Sequence, residues 1–172
     1  SIFLVTNGQE PDMIQRLQDE DALPTQLYLS TNAADYDSFL KINKPKYDDS
    51  WQRWNRTLGM LKHLDTRTVL RITLIRNYND QKEMIPAFAS MLQQASPHFI
   101  EIKSYMHIGR STNRLEHSNM LEIDEVRKFS EEIAKQSQIF SIMDESLVSR
   151  IVILQNNHRV IDRWISAYAN TN

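Results

Sequence analysis

Short apolar runs alternate with longer amphipathic segments along the 172 residues of the chain, which is the arrangement of successive βα units around a parallel sheet. The runs IFLVTN (2–7), QLYLST (26–31), TVLRITLI (68–75) and FIEIKSYM (99–106) predict strands, with weaker signals at IFSIM (139–143) and RIVILQ (150–155). Helices fall between them. PDMIQRL opens with a proline suited to a first helical position, and DSWQRWNRTLGMLKHL repeats Trp51, Trp54, Leu58, Leu61 and Leu64 at helical spacing, so the two tryptophans read as core anchors. DQKEMIPAFASMLQQA turns Met84, Ile85, Phe88, Met91 and Leu92 inward, and EIDEVRKFSEEIAKQ buries Val126, Phe129 and Ile133. RSTNRLEHSNM (110–120) has no period and many turn formers, so it forms a loop after the fourth strand.

Face by face, the strands are two-sided. Leu27 and Leu29 oppose Tyr28, Ser30 and Asn32; Leu70, Ile72 and Leu74 oppose Val69, Arg71, Thr73 and Ile75; Ile100 and Ile102 oppose Glu101 and Lys103. A parallel sheet covered on both sides would read as continuously apolar. The pattern instead predicts an α/β fold, a partial parallel β/α barrel with helices outside and a polar concave side, whose ligands lie at the C-terminal ends of the strands. The polar segments TNGQ, STNAAD, RNYND and HIGRSTNR would converge there. Glu101 and Lys103 need partners, either one another or Arg71, around a wet ligand cavity or in a purely structural network. The first strand would also leave an unpaired edge.

With 41% hydrophobic and 24% charged residues, the composition is that of one compact domain. The apolar runs fall short of the roughly 20 residues of a membrane span, and the start lacks a basic leader, so no membrane association and a cytoplasmic location are expected. The absence of cysteine excludes disulfides, thiolate zinc sites and a self-held iron–sulfur cluster. The five histidines lack ligand spacing, so no metal site is expected from them. Three glycines make no phosphate loop. A net charge of −2 leaves room only for a local nucleic-acid patch. Arg110, Asn113, Arg114 and His117 are its candidates, with Lys41, Lys44 and Lys46 on another rim and read as solvated.

FLVTNGQEPD, PTQLYLSTNA, KPKYDDSWQRWNRTLGML, TRTVLRITLIRNYN and FIEIKSYMHIGRSTNRLEHSNM resemble, in order and spacing, the later part of the 4-demethylwyosine synthases, which are radical S-adenosylmethionine (SAM) enzymes of tRNA modification. The resemblance implies one domain, with the later part of a radical SAM barrel over 1–95 and a wyosine base formation region over 96–172. It implies a lyase of wyosine biosynthesis that forms 4-demethylwyosine from N1-methylguanosine in phenylalanine tRNA, using pyruvate. S-adenosylmethionine and a 4Fe-4S cluster would serve the complete enzyme. The family's CxxxCxxC motif lies upstream of everything matched, so this chain would bind no cluster and be inactive alone. It would be a fragment or one subunit of a split enzyme, pairing with the missing N-terminal half or with another copy of itself.

Carried over by position, Thr6, Asn7, Gly8, Ser30, Asn32, Arg71 and Thr73 would line the cofactor pocket, Arg71 and Thr73 near the methionine carboxylate. Asn32 stands where the family usually has an acidic residue. Glu101 and Lys103 are the catalytic candidates, Lys103 as a Schiff-base amine or a carboxylate ligand. Arg110, Asn113 and Arg114 would meet RNA. The alternative is a non-catalytic half-barrel that binds RNA or a partner protein.

Overall fold

A computed structural model describes residues 1–165; the last residues of the region expected over 96–172 lie outside them. One six-stranded sheet runs β1 (Phe3–Thr6), β2 (Gln26–Thr31), β3 (Arg67–Leu74), β4 (Phe99–Ser104), then β6 (Ile151–Asn156) and, at the far edge, β5 (Phe140–Ser146). β1 to β4 are parallel and adjacent in chain order, as the βα pattern predicts. β6 runs antiparallel to both β4 and β5, so the sheet is not parallel throughout. Only residues 147–150 join β5 to β6, too few for the crossover that a parallel pair requires. The barrel is open, with β1 unpaired on its outer side among the described residues.

The apolar strand faces make the core. Leu27, Leu29, Leu70, Ile72, Leu74, Ile100, Ile102, Val152 and Leu154 are all fully buried. Against them pack Ile14 of α1 (Pro11–Asp19), Trp54 and Leu58 of α3 (Ser50–Met60), Phe88 and Leu92 of α4 (Ile85–Ala95), and Val126 and Ile133 of α5 (Ile123–Ser137). Each such side chain contributes about 1.5–3 kcal/mol on burial. Trp54 is 1% exposed and stacks on Trp51 at 5.4 Å, so both tryptophans belong to the core.

The helix α2 (Tyr36–Asn43) is too short to show a long apolar period. Asp35 starts it by accepting a hydrogen bond from the Ser38 amide at 2.9 Å, and Lys44 ends it in the left-handed region at φ 46°. Among the described residues no helix is long and apolar enough to cross a membrane.

Candidate functional site

The second face of the sheet carries the polar residues. Parallel register sets Ser30 beside Arg71 and Arg71 beside Glu101, with Thr73 beside Lys103 one step nearer the C-terminal ends. Arg71 donates from Nε to Glu101 Oε1 at 2.6 Å and from Nη2 to Oε2 at 3.3 Å, while its guanidinium lies 4.5 Å from the centre of the Tyr28 ring. Glu101 thus finds its partner in Arg71. Lys103 is half-buried and makes no ion pair within 4 Å among the described residues. Burial, and after it the Glu101 carboxylate, raises the Tyr28 phenol above its ordinary pKa, with Arg71 opposing. At the other end of this face Arg67 lies over Phe99 and donates to the carbonyls of Asp162 and Arg163, so the chain after β6 straps that end.

Beyond the Arg71–Glu101 pair, two clefts open at the C-terminal ends of the parallel strands. The first, about 600 Å³, lies between the ends of β1 and β2 and the α2–α3 connection, with Asn7, Gln9, Ser30 and Lys46 in its wall. The second, about 400 Å³, lies over the ends of β3 and β4, with Thr73, Tyr78, Tyr105 and Leu115 in its wall. Asn32, Ile42, Lys44 and Arg114 line both.

The turn after β1 is clamped. Thr6 Oγ1 accepts from the Gly8 amide at 3.0 Å, Asn7 Oδ1 accepts from the Gln9 amide at 3.2 Å, and Thr57 Oγ1 donates to the Gly8 carbonyl at 2.8 Å. Gly8 has φ +76°, and a Cβ there would sit 2.8 Å from Leu29 Cδ1, so conformation and space both require glycine. Asn79, fully buried, donates to the carbonyls of Asn32 and Thr73 at 2.8 and 2.9 Å and ties the ends of β2 and β3 together.

The sequence-derived cofactor set therefore divides. Asn7, Ser30 and Asn32 line the first cleft, and Thr73 with Asn32 lines the second. Thr6 and Gly8 shape the turn, and Arg71 is engaged with Glu101. Gln9 belongs with them at the first cleft. Its Nε2 donates to the Ser50 carbonyl at 3.1 Å, while Oε1 is buried without a partner at the cleft wall. An orphaned acceptor costs about 1–3 kcal/mol unless a donor meets it. Only burial reveals this, and a lone glutamine in a loop gives no sequence signal.

Arg114 lines the mouth, whereas Arg110 and Asn113 are exposed on the short turn Gly109–Asn113 and line neither cleft. The lysines do not form a separate rim. The end of α2 brings Lys44 and Lys46 to the same mouth as Arg114, and Lys41 lines the second cleft with its Nζ 5.5 Å from the centre of the Tyr78 ring. Lys41, Lys44, Lys46 and Arg114 make no ion pair within 4 Å among the described residues.

His98 lies at the opposite end of the sheet, where its Nδ1 accepts from the Thr68 amide at 3.1 Å. Among the described residues no three His, Cys, Asp or Glu side chains are placed to hold a metal ion. With no cysteine anywhere, the chain has no thiolates for an iron–sulfur cluster.

Residues 94–156 match the family model described as wyosine base formation. The chain is 37% identical over 155 residues to the SAM-dependent tRNA 4-demethylwyosine synthase of Pyrococcus abyssi, a match covering 90% of this chain and 45% of that protein. A solved TYW1 structure with a lysine–pyruvate adduct bound superposes with a TM-score of 0.79 at 40% identity, over 92% of this chain and 48% of that one. A radical SAM methyltransferase from Sphaerobacter thermophilus shares the fold alone, with a TM-score of 0.51 at 14% identity, over 78% of this chain and 37% of that one. The chain spans about half the length of the archaeal relatives it matches and about a quarter or less of the plant and animal ones.

Proposed function

The chain belongs to the tRNA 4-demethylwyosine synthase family as a homologue of its C-terminal half, and we propose that it forms the cofactor- and substrate-facing wall of such an enzyme. The reaction is formation of 4-demethylwyosine from N1-methylguanosine in phenylalanine tRNA with pyruvate, a lyase reaction of the cytoplasm. The observation that carries this reading is the mouth itself, a polar cleft of about 600 Å³ with an orphaned acceptor, opening beside unpaired cations at the strand ends. Its volume suits a small-molecule cofactor.

The residues fit S-adenosylmethionine. Gln9 Oε1 is a ready acceptor for an amino group, and Asn7, Ser30 and Asn32 supply neutral hydrogen-bonding groups beside it. They do not fit the 4Fe-4S cluster, whose ligands belong to family sequence outside this chain. In the complete enzyme the two groups together would supply radical initiation. Here Arg71 and Glu101 fix the floor of the site as positioning residues, and the unpaired Lys103 takes a carboxylate of a small substrate.

The two edges of the sheet support pairing with a further half. The β5 edge carries Asp144 and Glu145 and a bulge between Ile142 and Asp144, the usual protection of a free edge. β1 has no charged residue and exposes Phe3 and Val5 at 55% and 52%. An unguarded edge of this kind suits a partner strand, and the isolated chain would be inactive.

Replacing the homologous segment of the Pyrococcus abyssi synthase with this chain tests the proposal. The chimera is expected to yield 4-demethylwyosine, detected by mass spectrometry of nucleosides from phenylalanine tRNA. A folded chimera that binds the tRNA and S-adenosylmethionine but makes no product overturns it.

A further inference from the structure

We propose that Arg76 is a positioning residue of the mouth: it brackets the loop between β4 and α5 to the end of β3 and so holds Arg114 where the two clefts meet. The inference rests on the reading of the mouth as the substrate-facing site and adds the residue that fixes one of its walls. Residues 105–122 join β4 to α5, with only the short turns Gly109–Asn113 and His117–Asn119 among them. A loop of that length with so little regular structure is uncommon in a compact domain and is usually functional. Arg110, Thr112, Asn113 and Arg114 are exposed on it, so burial does not fix their place.

Two pins hold the loop instead, one on each side of Arg114. On the near side the Tyr105 hydroxyl donates to Ser111 Oγ at 3.1 Å, and Ser111 Oγ donates to the Ile108 carbonyl at 2.7 Å. On the far side stands Arg76, just beyond β3. Its amide donates to the Asn119 carbonyl at 2.9 Å, and Asn119 Nδ2 donates back to the Arg76 carbonyl at 3.1 Å. The guanidinium donates from Nε to the Ser118 carbonyl at 3.1 Å and from Nη2 to the Met120 carbonyl at 2.9 Å. Nη1 and Nη2 also donate to the two Glu125 carboxylate oxygens, at 2.5 and 2.7 Å. A rigid planar fork reaches two carbonyls and a carboxylate at once, which a single ammonium cannot do.

Stability alone does not account for this convergence. The Arg76 and Glu125 side chains keep 33% and 38% exposure, and ion pairs so open to solvent add little to folding. Arg127 also makes two ion pairs, but its partners Asp124 and Glu145 lie on α5 and β5. Arg76 instead directs its donors at the carbonyls of a loop, and that loop carries Arg114 into both clefts.

The chain has no cysteine, so Asn113→Cys and Lys62→Cys take a single pair of spin labels. Double electron–electron resonance on the full chain should give a narrow distance distribution in that background and a broad one once Arg76→Gln or Asn119→Ala is added. Arg127→Gln, which breaks two ion pairs without touching the loop, should leave the distribution narrow. In the chimeric synthase, Arg114→Gln should raise KM for the substrate that it contacts by roughly tenfold or more. Arg76→Gln should raise the same KM by roughly 2- to 10-fold with kcat unchanged, because the freed Arg114 side chain must then be immobilised on binding. The two effects should not add, since ordering Arg114 ceases to matter once it is replaced. Asn119→Ala leaves the Arg76 fork in place and serves for both measurements should Arg76→Gln fail to fold.

A distribution as narrow in the Arg76 and Asn119 variants as in their parent overturns the bracket, whether or not the chimera is active. A broad distribution with additive effects on KM, or with no effect of Arg114→Gln on any KM, also overturns the proposal and leaves Arg76 a structural residue only. A folded chimera that makes no product removes the premise, and the proposal with it; a broad distribution then shows a bracketed loop without a part in the mouth.

Discussion

Replacing Glu101 with glutamine asks how much the polar face of the sheet depends on one ion pair. Glu101 is 8% exposed, and the Arg71 side chain retains 26% exposure, so the pair lies between two regimes. Removing one partner of a fully buried pair costs about 3–5 kcal/mol, whereas an exposed pair is worth about 0–1. Two hydrogen bonds to a charged group are lost or weakened, although glutamine retains one acceptor and the Tyr28 ring still supports the guanidinium. The expected loss is about 2 kcal/mol, read as a fall in Tm of roughly 4–8 °C for a chain of this size.

Urea unfolding provides the free energy, with the slope m checked for constancy between variants. Glu145→Gln is the control, because the Arg127–Glu145 pair is 33% and 35% exposed, and its effect should be clearly smaller than that of Glu101→Gln. A double-mutant cycle with Arg71→Met should return a coupling near the Glu101→Gln loss. Equal effects of Glu101→Gln and Glu145→Gln, or a coupling indistinguishable from zero, would refute the claim that this pair holds the polar face.

Burial of His98, then the charges of Arg159 and Arg67, holds its imidazole at about 4 against an ordinary 6.5. The unfolded chain therefore takes a proton below about pH 6.5 that the folded chain refuses. Stability is full above that pH and declines as pH falls toward about 4, by up to roughly 3 kcal/mol; the same pH profile in His98→Gln would contradict this. Lys103→Met should change unfolding free energy by less than about 0.5 kcal/mol, since no partner is left unpaired, while impairing product formation in the chimera. A stability loss matching that of Glu101→Gln would show that Lys103 belongs to the ion-pair network after all.

The strands were legible because a period of two is imposed by the pleat, and Leu27, Leu70 and Ile100 mark the buried side whatever the neighbours are. The partner of Glu101 was not, because Lys103 and Arg71 are equally plausible until register sets Arg71 beside Glu101. Register is a property of strand pairing, which local pattern does not encode. The same limit hid the direction of β6 and the convergence of the lysines with Arg114. That convergence depends on α2, an eight-residue helix with too few turns to display a clear apolar stripe.

How the mouth is built bears on how it can bind. Its walls are fastened from below at several independent points: Gly8 by close packing and the Thr57 bond, the ends of β2 and β3 by Asn79, and the polar face by Arg71 and Glu101. Among the described residues, Gln9 Oε1 has no hydrogen-bond partner and the mouth's cations Lys44, Lys46 and Arg114 make no ion pair. Ordering of side chains and loops on association costs about 0.5–1.5 kcal/mol for each side chain immobilised. A frame already fixed avoids much of that cost, so contacts made by the unpartnered groups can appear as affinity and orientation. On this reasoning, variants that loosen the frame, such as Glu101→Gln, should weaken ligand binding even though they touch no ligand.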